Sequence, residues 1–347
     1  MSTVTQISTA DGTSTDGALA HRLRRGLANR AVQIILVEIV VIALFQALSP
    51  DGAFLSEANI RGMLLTASQV LLLTAGQAVL MSAGHIDVSQ GAVLIVSSVV
   101  SGKVMIAMST GAGAGAGTAL LVGLLVAVVT GAVLGAVNGV MTGLVGISSL
   151  VATLGMLSVA TGVAQVTAGG VNLTGLPTEL ATGFGNVRFG VLPLPTLVGV
   201  VVLAVIWILF RTTDWGTHVL AMGSDIVAAR RAGIKTLRKT ISVFVLSSVL
   251  AGLAGYIDLA RYSTTNISGH LNDSMAAIAA ALIGGTALTG GRINFLGAVF
   301  GALLAIILQS GLVIIDLSPF YQTIAIGVML LIAVSLDRGN RARLGAD

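Results

Sequence analysis

Apolar runs long enough to cross a membrane follow one another along most of the chain, with short polar stretches between them. A helix needs roughly 20 mostly apolar residues to span the hydrocarbon core of a bilayer. The pattern therefore predicts an all-α integral membrane protein of about ten transmembrane helices, of which the eighth is short. We place these spans near residues 33–49, 62–82, 91–109, 118–142, 149–168, 192–210, 240–260, 275–289, 294–315 and 320–336.

Polar segments flank the apolar region at both ends. Residues 1–20 are rich in Ser, Thr, Gly and Asp, and a cluster of arginines at positions 22, 24, 25 and 30 follows. Residues 1–20 lack the basic start and apolar run of a signal peptide, so we expect a disordered, basic, cytoplasmic N-terminus over 1–30. The expected organisation continues with a transmembrane domain over 31–337 and a cytoplasmic tail over 338–347.

Composition and charge agree with a bilayer as the main solvent. Hydrophobic residues make up 55% of the 347 residues and charged residues only 9%, whereas about a quarter of a soluble domain is charged. With both termini in the cytoplasm, most of the 18 lysines and arginines fall on the cytoplasmic side, as the positive-inside rule expects. Because these basic residues are dispersed over loops, we expect contact with membrane lipid and no nucleic acid partner.

An internal repeat is indicated by two pairs of similar segments. LGAVNG (134–139) recurs as LGAVFG (296–301), and GHID (84–87) is loosely echoed by GHLN (269–272). Spans 2–5 and 7–10 then form two copies that are inverted in the membrane, an arrangement typical of transporters; the alternative is chance similarity between small-residue helices. Glycines spaced four apart at 131, 135, 139 and 143 predict a groove for close helix packing.

The sequence carries no motif for chemistry of its own. It contains no GxxxxGK[ST], HExxH or GxSxG, and no cysteine, so a nucleotide site, a bound metal and an enzyme activity are not expected. Glu38, Lys103 and Asp258 fall within spans. We expect Lys103 and Asp258 to reach an interface, which leaves Glu38 as the one mid-span carboxylate for an ion-coupled carrier, outside the repeat.

The long loop over 211–239 is too polar to span, yet it contains a helix-like core. Ser224 or Asp225 is suited to cap a short helix, and Gly233 to end it in a left-handed turn. Two interpretations stay open at this point: a surface helix held by anionic lipid, or a docking helix that transmits force from an ATPase subunit.

Seven stretches carry a family resemblance that runs in order from about residue 33 to 337. They are GHIDVSQGAVL (84–94), LGAVNG (134–139), LVATLGMLSVATG (150–162), GSDIVAARRAGI (223–234), SSVLAGLAG (247–255), AIAAALIGGTALTGGRINFLGAVFGALL (277–304) and SPFYQ (318–322). In these stretches the chain resembles the permease subunits of bacterial ABC importers for monosaccharides, the group that includes ribose, xylose, arabinose and autoinducer-2 permeases.

The resemblance implies an inner-membrane permease with three kinds of partner: a second permease copy or paralogue, an ATP-binding subunit that holds ATP and Mg, and an extracytoplasmic sugar-binding protein. It also implies that 223–234 is the coupling helix, with Gly223, Asp225, Ala228, Ala229, Arg230, Arg231, Gly233 and Ile234 in its pattern. The chain departs from the family where His85 replaces a usual glycine and where Ile226 and Val227 replace an acidic pair.

Polar residues on apolar spans are the candidates for a solute pathway. Asp87 and Gln90 fit a capping box at the start of the third span, and Asp87 is also suited to contact a solute. The other candidates are His85, Asn138, Thr153, Gln165, Gln309 and Gln322. For each of these the alternative is a hydrogen bond between helices.

The sequence thus predicts a non-enzymatic permease subunit of an ATP-driven importer for a monosaccharide or similar polyhydroxylated solute. The alternatives are a permease of the same superfamily for nucleosides or branched-chain amino acids, and an ion-coupled carrier that works alone.

Overall fold

The computed structural model describes residues 30–110, 115–318 and 320–344, and these form an all-α bundle. In chain order the α-helices of six or more residues are α1 (Arg30–Leu48), α2 (Glu57–Ser82), α3 (Gln90–Thr110), α4 (Ala116–Val140), α5 (Ser149–Ala168), α6 (Leu194–Thr212), α7 (Asp214–Ser224), α8 (Ile226–Arg231), α9 (Thr236–Tyr262), α10 (Asp273–Ile283), α11 (Phe295–Ile314) and α12 (Phe320–Leu344). Of these twelve, α7 and α8 are short and lie between α6 and α9, and the other ten are apolar.

The predicted fold class is confirmed. Seven of these helices are long and apolar enough to cross a membrane, and three more have shorter apolar stretches, at Val32–Leu48, Asp273–Ile283 and Phe320–Ile332. The short eighth span is α10, which has 11 residues. At the chain ends, residues 1–29 and 345–347 lie outside the described residues, and α12 continues as a helix through most of the predicted 338–347 tail.

Helix α9 is the centre of the bundle and packs against α2, α3 and α4. Its buried residues run along almost its whole length, from Thr236 to Ala260. The outer helices contact fewer neighbours: α1 packs on α11, α5 on α3, α6 on α2, and α12 on α10. A small antiparallel hairpin of β1 (Arg188–Phe189) and β2 (Leu192–Pro193) precedes α6.

The predicted glycine groove explains the tight packing of α4 on α9. A Cβ at Gly131 would collide with the Ser248 carbonyl, and one at Gly139 would lie 2.7 Å from the Ile241 Cα. The matching glycines of the second LGAVxG segment, Gly297 and Gly301, instead pack on the backbone of α10. The two segments therefore share the same role, although their partner helices differ.

Candidate functional site: two helix starts below a polar cavity

Helix α3 begins in the interior of the bundle rather than at its surface. The segment 83–89 runs inward from the end of α2, and Gln90 then starts the helix. The Gln90 side-chain amide donates to the Leu73 carbonyl at 3.2 Å and to the Ser247 hydroxyl at 2.6 Å. Because Leu73 and Ser247 lie near the middle of α2 and α9, α3 starts about halfway through the bundle.

Helix α10 starts beside α3 and runs the opposite way. The Gly91 N–H donates to the Ser274 hydroxyl at 2.9 Å, which joins the first turns of the two helices. Gly91 lies so close to the His270 carbonyl that a Cβ would collide with it. From this point α3 runs parallel to α9, since Gly255 contacts Leu94 and Gly102 faces Leu259.

Helix α10 instead runs alongside α2 in the direction of Met81, where its residues Ile278 and Leu282 share an apolar cluster. Two helices that begin together at mid-depth and diverge are what an inverted repeat of GHID and GHLN predicts. Interrupted helices of this kind place backbone and polar groups at the centre of a membrane protein, where transporters bind their solutes.

The inward segment before α3 is held by side chains from α4 and α5. The Ile86 N–H donates to the Ser149 hydroxyl at 3.2 Å, and the Val88 N–H donates to the Thr153 hydroxyl at 3.2 Å. The Asn138 amide donates to the Ser89 hydroxyl at 3.0 Å. Asn138 and Thr153, two predicted pathway residues, therefore make contacts that fix the segment in place.

The predicted capping box of Asp87 and Gln90 is not formed. The buried Asp87 carboxylate accepts from the Ser89 N–H at 2.7 Å and from its hydroxyl at 2.6 Å, while the Gln90 side chain points to α2 and α9. Ser89, whose carbonyl accepts from the Val93 N–H, is the residue that precedes the helix. The box fails because the side chains of Asp87 and Gln90 have nearer partners than each other's backbone.

A polar cavity of about 400 Å³ lies between α2, α9, α10, α11 and α12. Its lining includes Arg261 and Tyr262 from the last turn of α9, whereas the 211–239 loop precedes the first turn of the same 27-residue helix. At 1.5 Å per residue α9 is about 40 Å long, so the cavity and the loop lie at opposite ends. The polar side chains that line it are Asn59, Thr66, Gln69, Arg261, Asn266, His270, Asp273, Gln309, Ser310 and Gln322.

The floor of this cavity is a cluster of charged and amide side chains. His270 Nδ1 lies 2.8 Å from Asp273 Oδ2, and His270 Nε2 lies 3.2 Å from Asp258 Oδ2. The Gln69 amide donates to Asp258 Oδ1 at 3.0 Å, so the fully buried Asp258 contacts both α2 and the segment before α10. One imidazole thus links the last turns of α9 to the first turn of α10.

This cluster corrects one expectation and adds a residue that the sequence analysis missed. Asp258 does not reach an interface, because the 263–272 segment turns back over it and supplies His270. In the sequence His270 stands out only as part of the GHLN segment of the repeat. Its spacing of three from Asp273 is the only local signal that pointed to a pair, and the Asp258 contact depends on the tertiary fold.

The other predicted pathway residues fall in three different places. Gln309 and Gln322 meet in the cavity, where the Gln309 amide donates to Gln322 Oε1 at 3.1 Å. Gln165 lies on the exposed side of α5, away from the cavity lining. His85 lies toward the opposite end of α9, with its Nε2 3.5 Å from the Thr240 hydroxyl and its ring 5.5 Å from the Phe244 ring.

The 211–239 loop has the local structure that the sequence predicts. Asp225 Oδ1 accepts from the N–H groups of Val227 and Ala228, so it caps α8. Gly233 has a φ of +82° and closes the turn after it. Within α8, Ala229 is buried, whereas Ala228, Arg230 and Arg231 are exposed. Asp225 and Gly233, which flank the helix, are also exposed, and Gly223 and Ile234 are half-buried.

Close backbone contacts tie this loop to the rest of the bundle. A Cβ at Gly223 would collide with the Ser82 carbonyl at the end of α2, and the Gly291 N–H donates to that same carbonyl at 2.9 Å. The Trp215 indole donates to the Ser242 hydroxyl of α9 at 2.8 Å. The loop that carries α8 is therefore in direct contact with the end of α2 and the start of α9.

Comparison with known proteins places the chain among transport proteins. A family model described as "Branched-chain amino acid transport system / permease component" matches residues 59–334. The chain is 30% identical to the L-arabinose ABC transporter permease protein of Azospirillum brasilense, over 94% of each chain. It is 29% identical to the D-allose transport system permease protein of Escherichia coli strain K12, over 86% of this chain and 89% of that one.

A third relative is matched over a shorter region. The chain is 34% identical to the ribose import permease protein of Bacillus subtilis strain 168 over 56% of its own length, which spans 61% of that relative. No solved structure matches the chain.

Proposed function

The chain belongs to the permease family of branched-chain amino acid transport systems, and from this premise we propose its function. It is the permease subunit of an ATP-driven ABC importer that passes a monosaccharide, or a similarly small polyhydroxylated solute, across the bacterial cytoplasmic membrane. ATP and Mg are held by a separate partner subunit. The names of its arabinose, allose and ribose relatives support a sugar as the solute.

The observation that carries the proposal is the polar cavity above the two helix starts. A sugar presents hydroxyl groups in every direction, so a site for it needs both donors and acceptors on several sides. Arg261, Asn59 and Gln309 supply donors from three different helices, and the Asp273 carboxylate is an acceptor. A cavity of about 400 Å³ falls in the range of small-molecule sites.

The closed floor of the cavity fits one state of an alternating-access cycle. Gln69 and His270 are its buried polar lining residues, and beside His270 Gly91 of α3 contacts Ser274 of α10. For the solute to pass, the starts of α3 and α10 have to separate. ATP binding and hydrolysis on the partner drive this change, and the energy enters through the 211–239 loop.

Residues 223–234 are the proposed docking site for the ATP-binding subunit. Helix α8 stands out from the bundle, with Ile226 41% and Val227 54% exposed beside Arg230 and Arg231. In the same proposal this end faces the cytoplasm with both termini, because the loop carries six basic and two acidic residues. The cavity then faces an extracytoplasmic sugar-binding protein, and a second permease copy or paralogue completes the transporter.

Two measurements on the tagged chain in its native membrane test this function. Affinity purification in a mild detergent is expected to bring along a subunit with a GxxxxGK[ST] motif. Cells that carry the intact system are expected to take up at least one labelled pentose or hexose, and orthovanadate is expected to stop this uptake. Uptake that continues in orthovanadate, by a chain that purifies alone, would refute the ABC importer.

An ion-coupled carrier is the second candidate, and one observation favours it. Asp258 is fully buried and lies against His270 at the floor of the cavity, inside the proposed repeat, whereas the sequence left only Glu38 for an ion site. A protonophore together with a sodium ionophore would abolish uptake by such a carrier while ATP levels are held constant, and this treatment would leave the ABC importer active. Labelled leucine in the same assay tests a branched-chain amino acid as the solute, which the description of the family raises.

A further inference from the structure

A second cavity, of about 380 Å³, lies at the other end of the bundle, beside the 211–239 loop. It is lined by the end of α6, by α7 and by the residues that begin α11. Phe210 forms its wall, with its ring 5.4 Å from that of Phe295 and 5.7 Å from that of Trp215. The ring contacts thus pack the end of α6 against α7 and the start of α11 beside the cavity.

The mouth of this cavity is apolar on one side and basic on the other. Trp207 is 40% exposed and Leu296 is 65% exposed. The Arg211 guanidinium lies over the Trp207 ring at 5.3 Å, and among the described residues Arg211 makes no ion pair with a carboxylate. Thr217 on α7 lines the same cavity.

The surroundings indicate that the cavity opens toward lipid. The side of α6 that carries Trp207 and Arg211 also exposes the apolar residues Ala204 and Val200, about one and two turns before Trp207. A tryptophan at the end of such a surface is typical of the level of the lipid headgroups. Basic pockets between transmembrane helices at that level bind anionic headgroups, and the adjoining loop carries six basic and two acidic residues.

We propose that this cavity binds one anionic phospholipid of the surrounding membrane. Arg211, with the Thr217 hydroxyl, holds the phosphate of the headgroup, and an acyl chain lies along Trp207 and Leu296. The bound lipid lies between α6, α7 and the start of α11, and so it stabilises the packing of the 211–239 loop on the bundle. This proposal is independent of the transported solute.

Tryptophan fluorescence provides a direct test, because the chain has only two tryptophans, Trp207 and Trp215. The Trp215→Phe variant leaves Trp207 as the sole reporter. We would reconstitute it in mixtures of plain phosphatidylcholine with either brominated phosphatidylglycerol or brominated phosphatidylcholine, whose bromines quench an adjacent indole. One basic residue near a charged lipid surface contributes about 1 kcal/mol, which corresponds to about a fivefold preference for phosphatidylglycerol over phosphatidylcholine.

The preference is expected to disappear in Arg211→Gln and to remain in Arg211→Lys. Arg188→Gln is the matched control, since Arg188 is exposed on the hairpin before α6 and pairs with Glu57 at 3.6 Å. Equal quenching by the two lipids, a preference that survives Arg211→Gln, or a Trp207 that no lipid quenches would each overturn the proposal. The last outcome would mean that protein, for example a second copy, covers the cavity.

If Trp215→Phe does not fold, native mass spectrometry of the unaltered chain replaces the fluorescence measurement. Phosphatidylglycerol is then expected to be retained at lower added concentration than phosphatidylethanolamine, and Arg211→Gln is expected to remove the difference. No difference in the unaltered chain would overturn the proposal in the same way.

Discussion

The N–H of Gly91 donates to the hydroxyl of Ser274 at 2.9 Å, and this bond joins the starts of two helices that run in opposite directions. The residues are far apart in the chain, one after the GHID segment and the other after GHLN. Their contact lies beside His270, which is part of the floor of the polar cavity. Because Gly91 also lies against the His270 carbonyl, it has no room for a side chain.

Replacing Gly91 with alanine is expected to destabilise the protein. The new Cβ would collide with the His270 carbonyl, and forced overpacking of this kind costs about 1–3 kcal/mol. The thermal unfolding temperature of the detergent-purified variant is expected to fall. Gly162→Ala is the matched control, because that helical glycine of α5 faces open space and alanine favours a helix. Equal unfolding temperatures for the two variants would contradict the close approach.

Substitutions of His270 and Asp258 in the floor of the cavity are expected to have coupled effects on stability. His270→Ala leaves the carboxylates of Asp258 and Asp273 without the imidazole that lies between them. Asp258→Asn in the same chain removes one of the two charges, so it is expected to recover part of the lost stability. Residues in one such network show coupling energies of about 0.5–3 kcal/mol.

The unaltered chain, the two single variants and the double variant are compared by their free energies of unfolding in detergent. Asp316→Asn, a change of an exposed aspartate after α11, serves as the control for loss of a carboxylate. Strictly additive effects of His270→Ala and Asp258→Asn would mean that the two side chains do not interact.

The transmembrane spans and the two ends of α8 were predictable because their physical causes are local. Ten apolar stretches predict ten helices, and the residue types at Asp225 and Gly233 are those that cap and end a helix. The floor of the cavity was not predictable in the same way. Gln69 and Asp258 are 189 residues apart, and nothing in a one-dimensional pattern shows that their helix faces meet.

Two errors have a related cause. Asp258 lies near the end of a span, where a charged residue usually reaches water, but the 263–272 segment turns inward and covers it. Asp87 and Gln90 match the sequence pattern of a capping box, yet the Gln90 side chain donates to the Leu73 carbonyl and the Ser247 hydroxyl instead. In both cases an interrupted helix brings distant partners to residues whose local sequence indicates another role.

The three glutamines that the sequence marked as pathway candidates are expected to behave differently in transport. Gln309 and Gln322 line the cavity, and Gln165 lies on the exposed side of α5. Gln309→Ala removes a donor for the solute, and a typical hydrogen bond contributes about 1 kcal/mol. We therefore expect the KM for uptake to rise about fivefold, with the maximal rate largely retained.

Gln165→Ala is the matched control for this measurement, and its KM is expected to equal that of the unaltered chain. Both variants are assayed at equal membrane abundance, measured by immunoblotting. A raised KM in Gln165→Ala with an unchanged one in Gln309→Ala would move the pathway from the cavity to the exposed side of α5.

Replacing Gly233 with valine is expected to uncouple ATP consumption from uptake while the chain still inserts. The φ of +82° at Gly233 is one that a β-branched residue rarely adopts, and such backbone strain costs about 1–3 kcal/mol. The turn after α8 is therefore expected to relax to another conformation and to shift Arg230 and Arg231, which stand exposed on that helix. The measurement is the ratio of ATP hydrolysed to solute imported by the assembled complex in vesicles. Gly190→Val places the same side chain at a φ of +63° in the hairpin before α6, away from the docking loop. That control is expected to keep the ratio of the unaltered complex, and an unchanged ratio in Gly233→Val would mean that the ATP-binding subunit acts elsewhere.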